Sequence, residues 1–200
     1  ELPPDARVLR AECSPVLSEI PFSTVAEWVR ELTETRVDQP MNQARELVAG
    51  ALGEYGTGED GPEMIECMGE LATGRVRAAA DEADVVRSRQ LVAQALTHFF
   101  ARSTVDAPLV VVIDGLQWAD RPSLDLVTEF VRRGDTLPVL VLLATRPDDR
   151  VLSQIEGLVR VELKGLAADQ QIRLLQARLG VSDGVAEVWA RLLPRAAGYP

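Results

Sequence analysis

The sequence predicts an α/β fold: a parallel sheet layered with helices, followed by a small helical unit. Two apolar runs and the segment between them carry that expectation. Residues 109–113 read Leu-Val-Val-Val-Ile and residues 137–144 read Leu-Pro-Val-Leu-Val-Leu-Leu-Ala, with no polar side chain in either. The first, uninterrupted and largely β-branched, suits a strand buried on both faces of a parallel sheet, where alternation disappears, and the second reads as another buried strand. Between them, residues 121–133 place Leu124, Val127, Phe130 and Val131 on one helical face. The unit is therefore strand, helix, strand, and that crossover makes the two strands parallel.

Taken in order, residues 7–12 follow Pro3-Pro4 and alternate apolar with polar side chains, which predicts a short strand near a sheet edge. Cys13-Ser14-Pro15 ends it. Helical periodicity then covers 23–36, 40–52, 61–73 and 81–103, with Gly and Pro marking the gaps, most densely at 55–62. On the last of these helices Val85, Val92, Leu96 and Phe99 share a face, a packing stripe that should cover the sheet. After the run at 137–144, residues 159–163 alternate again and predict a fourth short strand. Residues 168–179 and 185–193 are expected as helices separated by Gly180, which suits a left-handed cap. The expected organisation is a nucleotide-site α/β domain over 1–164 with a helical insertion at about 23–103, then the start of a helical lid over 165–200.

Composition narrows the function. A net charge of -10 and a pI near 4.7 argue against this segment gripping a nucleic-acid backbone, so any DNA contact is expected from a domain not in this chain. Cys13 and Cys67 lie far apart with no thiol or histidine at metal-ligand spacing, which argues against a disulfide framework or a structural zinc. His98 is the only histidine and has no patterned partner, so an ordinary surface or packing role is expected rather than catalysis. No apolar run approaches the roughly 20 residues of a membrane helix, and the amino terminus lacks a signal-peptide pattern. A cytoplasmic protein without membrane contact is the expectation.

The chemistry concentrates at the ends of the two apolar runs. Asp114 closes the first, and a carboxylate at the C-terminal end of a buried parallel strand points into the crevice where such sheets bind ligands. In phosphate-loop enzymes the acid at this place orients magnesium against the nucleotide phosphates. The companion loop requires Gly-Lys-Ser/Thr, whereas Lys164 is the only lysine and Gly165 follows it. The chain is thus expected to carry part of a nucleotide site, its first residues lying just downstream of the missing half, and to bind ATP weakly or not at all by itself. Asp120 precedes Pro122-Ser123-Leu124 and is expected to cap that helix by accepting the Ser123 amide, Pro122 having none to offer. Arg146 follows the second run and is either a reader of the terminal phosphate or a solvated strand-end arginine.

These residues resemble the nucleotide-binding domain of STAND signal-transduction ATPases, relatives of the AAA+ group, as found in large LuxR-type transcriptional regulators. The resemblance rests on Asp114-Gly115-Leu116-Gln117-Trp118-Ala119-Asp120 followed by Ser123-Leu124, where the family has two acids, then Leu-His-Trp-Ala-Asp and a Ser-Leu helix. Residues 8–15 with Pro21-Phe22 are similar to the strand and loop after the phosphate-loop helix. Ala144-Thr145-Arg146-Pro147 is similar to the sensor strand, and Gly198-Tyr199-Pro200 to the turn whose proline approaches adenine. Gly115 departs from the pattern by replacing the second acid, and Pro194 stands late in the last expected helix.

The resemblance implies a phosphate-loop NTPase-like core of the AAA+ kind lacking its first strand, with strands at 7–12, 108–114, 137–144 and 159–163 and a vacancy beside the second apolar run. It implies an ATP- or ADP-binding regulatory switch of a larger, homo-oligomerising protein, with Asp114 on magnesium, Arg146 on the terminal phosphate and Pro200 on the base. No catalytic residue is assigned. Glycine at 115 implies slow hydrolysis at most, which Gly115→Glu should raise. The alternative is a scaffold that keeps the fold for protein contacts without nucleotide; a third reading is an AAA+ loader acting in DNA maintenance.

Overall fold

The computed structural model describes residues 3–75, 82–133, 137–147 and 150–179. The chain divides into two compact units, Glu1–Leu158 and Val159–Pro200.

In the first unit the order is β1 (Arg7–Glu12), α1 (Ser23–Thr33), α2 (Met41–Leu52), α3 (Gly61–Ala72), α4 (Glu82–Ser103), β2 (Leu109–Asp114), α5 (Arg121–Arg133) and β3 (Val139–Leu143). Single 3-10 turns follow α2, β2 and β3, at Gly53–Thr57, Leu116–Trp118 and Arg150–Gln154. The three strands form a parallel sheet in the order β1-β2-β3, with Leu9 opposite Val111 and Val111 opposite Val141. The crossover from β2 through α5 to β3 makes the second pair parallel, as the apolar pattern requires.

The helices pack on the face formed by Leu9, Ala11, Val111 and Ile113, all at most 4% exposed. Phe100 on α4 sits at the centre, 5.9 Å from Trp28 of α1 and 4.9 Å from Phe130 of α5, both in edge-on geometry. Each side chain of this size withdrawn from water contributes about 1.5–3 kcal/mol. The α4 stripe is Leu91, Val92, Ala95, Leu96, Phe99 and Phe100. Val85, expected on that stripe, is instead 47% exposed, because it lies two turns before the helix meets the sheet layer. Across the surface, Arg87 pairs with Asp60 and Glu63 and Arg45 with Glu66, exposed contacts that solvent and salt screen.

Two strand expectations are corrected. Residues 159–163 form no strand: Val159, Val161 and Leu163 are 92%, 75% and 87% exposed, and no described strand offers them a backbone partner. Alternation alone does not make a strand when the ladder has no second rail. The run at 137–144, expected to be a buried strand, is half-buried on one face and exposed on the other. Val139, Val141 and Leu143 turn inward, while Leu140 and Leu142 are 48% and 46% exposed, so among the described residues β3 is an edge strand with an open face.

In the second unit α6 (Ala168–Leu179) is the described helix. The Gln170 side chain accepts the Ala167 amide at 2.9 Å and so closes its first turn. Gly180, the helix expected at 185–193, Pro194 and the Gly198-Tyr199-Pro200 turn lie outside the described residues. Among the described residues no helix is long and apolar enough to cross a membrane.

His98 has the packing role its isolation predicted. Its ring stacks on Tyr55 at 4.5 Å, bonds the Leu52 backbone at the end of α2, and keeps Nε2 buried without a partner. Arg102 adds a bond to the Ala51 carbonyl, so α4 closes two carbonyls of the α2 end. Burial lowers the His98 pKa, and the Arg102 charge lowers it further, against the raising effect of the Leu52 backbone. The folded protein therefore binds this proton less readily than the unfolded chain. The His98 contribution to stability is complete above the unfolded value of about 6.5 and shrinks as pH falls from there toward the depressed folded value. Thermal melting between pH 7.5 and 5.5 should show a fall that His98→Gln reduces; equal slopes in the two proteins would refute it.

Candidate functional site

Parallel pairing brings the C-terminal ends of all three strands to one edge, the place where open α/β sheets bind ligands. The register sets Glu12 opposite Asp114 and Ile113 opposite Leu143, so two exposed carboxylates and the segment 144–146 share that edge. Asp114 Oδ1 accepts the Gly115 amide at 2.8 Å, while Oδ2 has no partner among the described residues. Asp114 thus stands where the sequence put it, at the strand end and open to a ligand.

The turn after Asp114 is held by backbone bonds to both neighbouring strands. The Cys13 amide donates to the Asp114 carbonyl at 2.9 Å, and the Leu116 amide donates to the Ala144 carbonyl at 2.9 Å. Gly115 makes this turn at φ +69°, and a Cβ there would sit 2.9 Å from the Cys13 carbonyl oxygen. The position therefore demands glycine twice, once for the left-handed backbone and once for space.

Arg146 and Asp114 are at the same edge, linked by residues whose part the sequence did not reveal. The Gln117 carboxamide oxygen accepts the Thr145 hydroxyl at 3.1 Å and the Arg146 amide at 3.3 Å. The Arg146 guanidinium carbon lies 5.5 Å from the centroid of the half-buried Trp118 ring. Arg146 itself is exposed, and among the described residues no carboxylate pairs with it. The only signal for Gln117 and Trp118 was their place between two acids of one motif.

Asp120 caps more than the helix expected of it. Its Oδ1 accepts the Ser123 amide at 2.9 Å, as the sequence predicted, and also the Phe22 amide at 2.7 Å. Its Oδ2 takes the Ser23 hydroxyl at 3.1 Å and the Thr24 amide and hydroxyl, each at 3.3 Å. One carboxylate, 2% exposed, thereby closes the N-termini of α1 and α5, which lie almost 100 residues apart. Phe22 occupies the left-handed region at φ 60°, a strain that the Asp120 bond holds in place. Asp120 is committed to structure and does not face a ligand.

Cys13 completes the inner wall, 7% exposed and 3.4 Å from the Thr24 hydroxyl. Burial pushes its thiol pKa up, opposed by the Thr24 bond and aided by the Asp120, Glu27 and Asp114 charges. Such a thiol is a poor nucleophile. Pro200, expected against the base, lies outside the described residues.

The edge fits magnesium brought with a nucleotide. Among the described residues no three His, Cys, Asp or Glu side chains converge as a ligand set. Magnesium takes one or two carboxylates together with phosphates and water, and Asp114 with its free oxygen meets that need. A family described as an AAA ATPase domain has a model that matches residues 1–142. No curated protein and no solved structure matches the chain.

Proposed function

Because the chain belongs to the AAA ATPase domain family, we propose that it is the ATP- or ADP-binding switch domain of a larger signal-transduction or transcription-regulating protein of the STAND, LuxR-regulator kind. The observation that carries the reading is the placing, on one sheet edge, of a carboxylate with a free oxygen and an arginine with no carboxylate partner among the described residues, Asp114 and Arg146. In this reading Asp114 holds the magnesium of the bound nucleotide, Arg146 contacts the terminal phosphate, and Pro200 approaches the base. Bound magnesium supplies a divalent charge that offsets the phosphates.

A strand and helix bearing the phosphate loop belong on the free edge of β3. Support comes from the open backbone of that edge and from Leu140 and Leu142, apolar side chains left half exposed beside it. Hydrolysis is slow or absent in this reading. Gly115 offers no side chain, and Asp120, the nearest alternative acid in the motif, is buried in two helix caps. A switch functions under that handicap, since differential affinity for two conformations is what shifts a population. The lid over 165–200 and an oligomerising surface of the full protein are the parts that respond. DNA is reached, if at all, through another domain, and the protein acts in the cytoplasm.

A nucleotide-free scaffold is the rival reading, favoured by one observation: the chain's only lysine, Lys164, lies in no phosphate-loop motif. Calorimetry on the intact protein separates the two. Micromolar binding of ATP or ADP is expected with magnesium present, and no heat with either nucleotide would leave the scaffold. Asp114→Ala should weaken magnesium-dependent binding about tenfold or more, one ligand of a hard cation being worth on the order of 1.4 kcal/mol. The melting temperature should change little, because the side chain is exposed. An unaltered magnesium dependence would remove Asp114 from the site.

A further inference from the structure

Two of the five residues between the acids of the motif, Gln117 and Trp118, reach the end of β3 through their side chains. Gln117 bonds the Thr145 hydroxyl and the Arg146 amide, and Trp118 lies under the Arg146 guanidinium at 5.5 Å. The backbone of the same turn joins the Asp114 strand to Ala144 through the Leu116 amide. Two contacts of different kinds, one of them to a side chain otherwise in solvent, thus converge on Arg146.

We propose that Gln117 and Trp118 are positioning residues that orient Arg146 toward a terminal phosphate and so set the preference of the domain for a nucleoside triphosphate over a diphosphate. The proposal rests on the assignment of Arg146 to the terminal phosphate. An exposed arginine at a strand end loses rotamer freedom when it binds an anion, a sizeable entropic cost for so long a side chain. Seating the guanidinium on an indole face removes part of that cost beforehand. A guanidinium held over a ring keeps the N–H donors that do not point at the ring available for bonds to phosphate oxygens. Gln117 does for the backbone what Trp118 does for the side chain: its single oxygen holds both Thr145 and Arg146, fixing where the arginine leaves the strand.

The test compares ATP and ADP affinities of the intact protein with magnesium for wild type, Arg146→Ala, Trp118→Leu, Trp118→Phe and Gln117→Leu. Arg146→Ala should reduce the preference for ATP about tenfold, the size of one charge-assisted contact. Trp118→Leu should reduce it about two- to fivefold while ADP affinity stays within about twofold, and Trp118→Phe should restore most of the preference because a ring face remains. Gln117→Leu should behave like Trp118→Leu. A second readout does not depend on any leucine variant folding. In protein carrying 5-fluorotryptophan, the Trp118 resonance, assigned by its loss in Trp118→Phe, should shift more with ATP than with ADP, and this difference should vanish in Arg146→Ala.

If Arg146→Ala lowers the preference but Trp118→Leu and Gln117→Leu leave it intact, and the fluorine resonance ignores the terminal phosphate, the positioning role is overturned while the phosphate assignment stands. If Arg146→Ala itself leaves the preference unchanged, the phosphate assignment fails first and the positioning role falls with it.

Discussion

Asp120→Ala is expected to lower the melting temperature by roughly 10 °C, the largest loss from any single motif residue. Five donors converge on this carboxylate: the amides of Phe22, Thr24 and Ser123 and the hydroxyls of Ser23 and Thr24. Each helix cap is worth about 1 kcal/mol, and leaving buried donors without an acceptor costs about 1–3 kcal/mol more per group not rescued by water. The sum is about 3–5 kcal/mol, and about 2–4 °C is lost per kcal/mol in a chain of this size. Phe22 loses the bond that holds its left-handed backbone, so the loop between β1 and α1 should loosen first. Asp120→Asn keeps one acceptor oxygen and should fall between alanine and wild type. Melting curves decide it: a shift under about 2 °C for Asp120→Ala would show that the caps contribute little. Loss of nucleotide hydrolysis in Asp120→Asn without loss of stability would return the residue to the chemistry.

Gly115→Glu is expected to destabilise the fold by about 2–4 kcal/mol and to leave hydrolysis no faster. The resemblance alone implied the opposite, a gain in rate from restoring a missing acid. At φ +69° a side chain costs about 1–2 kcal/mol, and the new Cβ would meet the Cys13 carbonyl oxygen at 2.9 Å, which forces the β1 end away from β2. Cys13 donates its amide to the Asp114 carbonyl, so that movement also disturbs the strand end bearing Asp114. Gly115→Ala is the matched control, since it carries the same Cβ without the carboxylate. Similar melting losses in the two variants, with no added phosphate release from the glutamate form, is the expected pattern. A Gly115→Glu protein that melts like wild type and hydrolyses ATP faster would show that the turn accepts a side chain and that the acid was all it lacked.

Much of the fold was legible because its signals are local. The apolar runs ending at Asp114 and Ala144, the amphipathic segment between them and the Gly- and Pro-marked gaps of the helical insertion each depend on residues near in sequence. The ends of α2, α4 and α5 accordingly fall within a residue or so of their expected limits. Asp114 was legible for the same reason, since a strand end and its terminal acid are adjacent. The strand expected at 159–163 failed because alternation reports which side chains are apolar and not whether a partner strand is present. The burial expected for Leu140 and Leu142 failed likewise, an apolar run being silent about what covers its second face.

By itself the sequence determined the α/β class, the parallel pairing of the two apolar runs, and the placing of Asp114 and Arg146 at strand ends. Those follow from periodicity, handed crossovers and residue chemistry, which act over short stretches of chain. Only the tertiary structure decided what the other motif residues do. Asp120 became a clamp because the loop at Phe22–Thr24 folds onto it from almost 100 residues away, and Gly115 became obligatory because the Cys13 carbonyl passes beneath it. Gln117 and Trp118 acquired Arg146 only when β3 was laid beside β2. Contacts between distant segments are set by how elements pack, and a side chain's neighbours across a packed sheet edge are not written in its own stretch of chain.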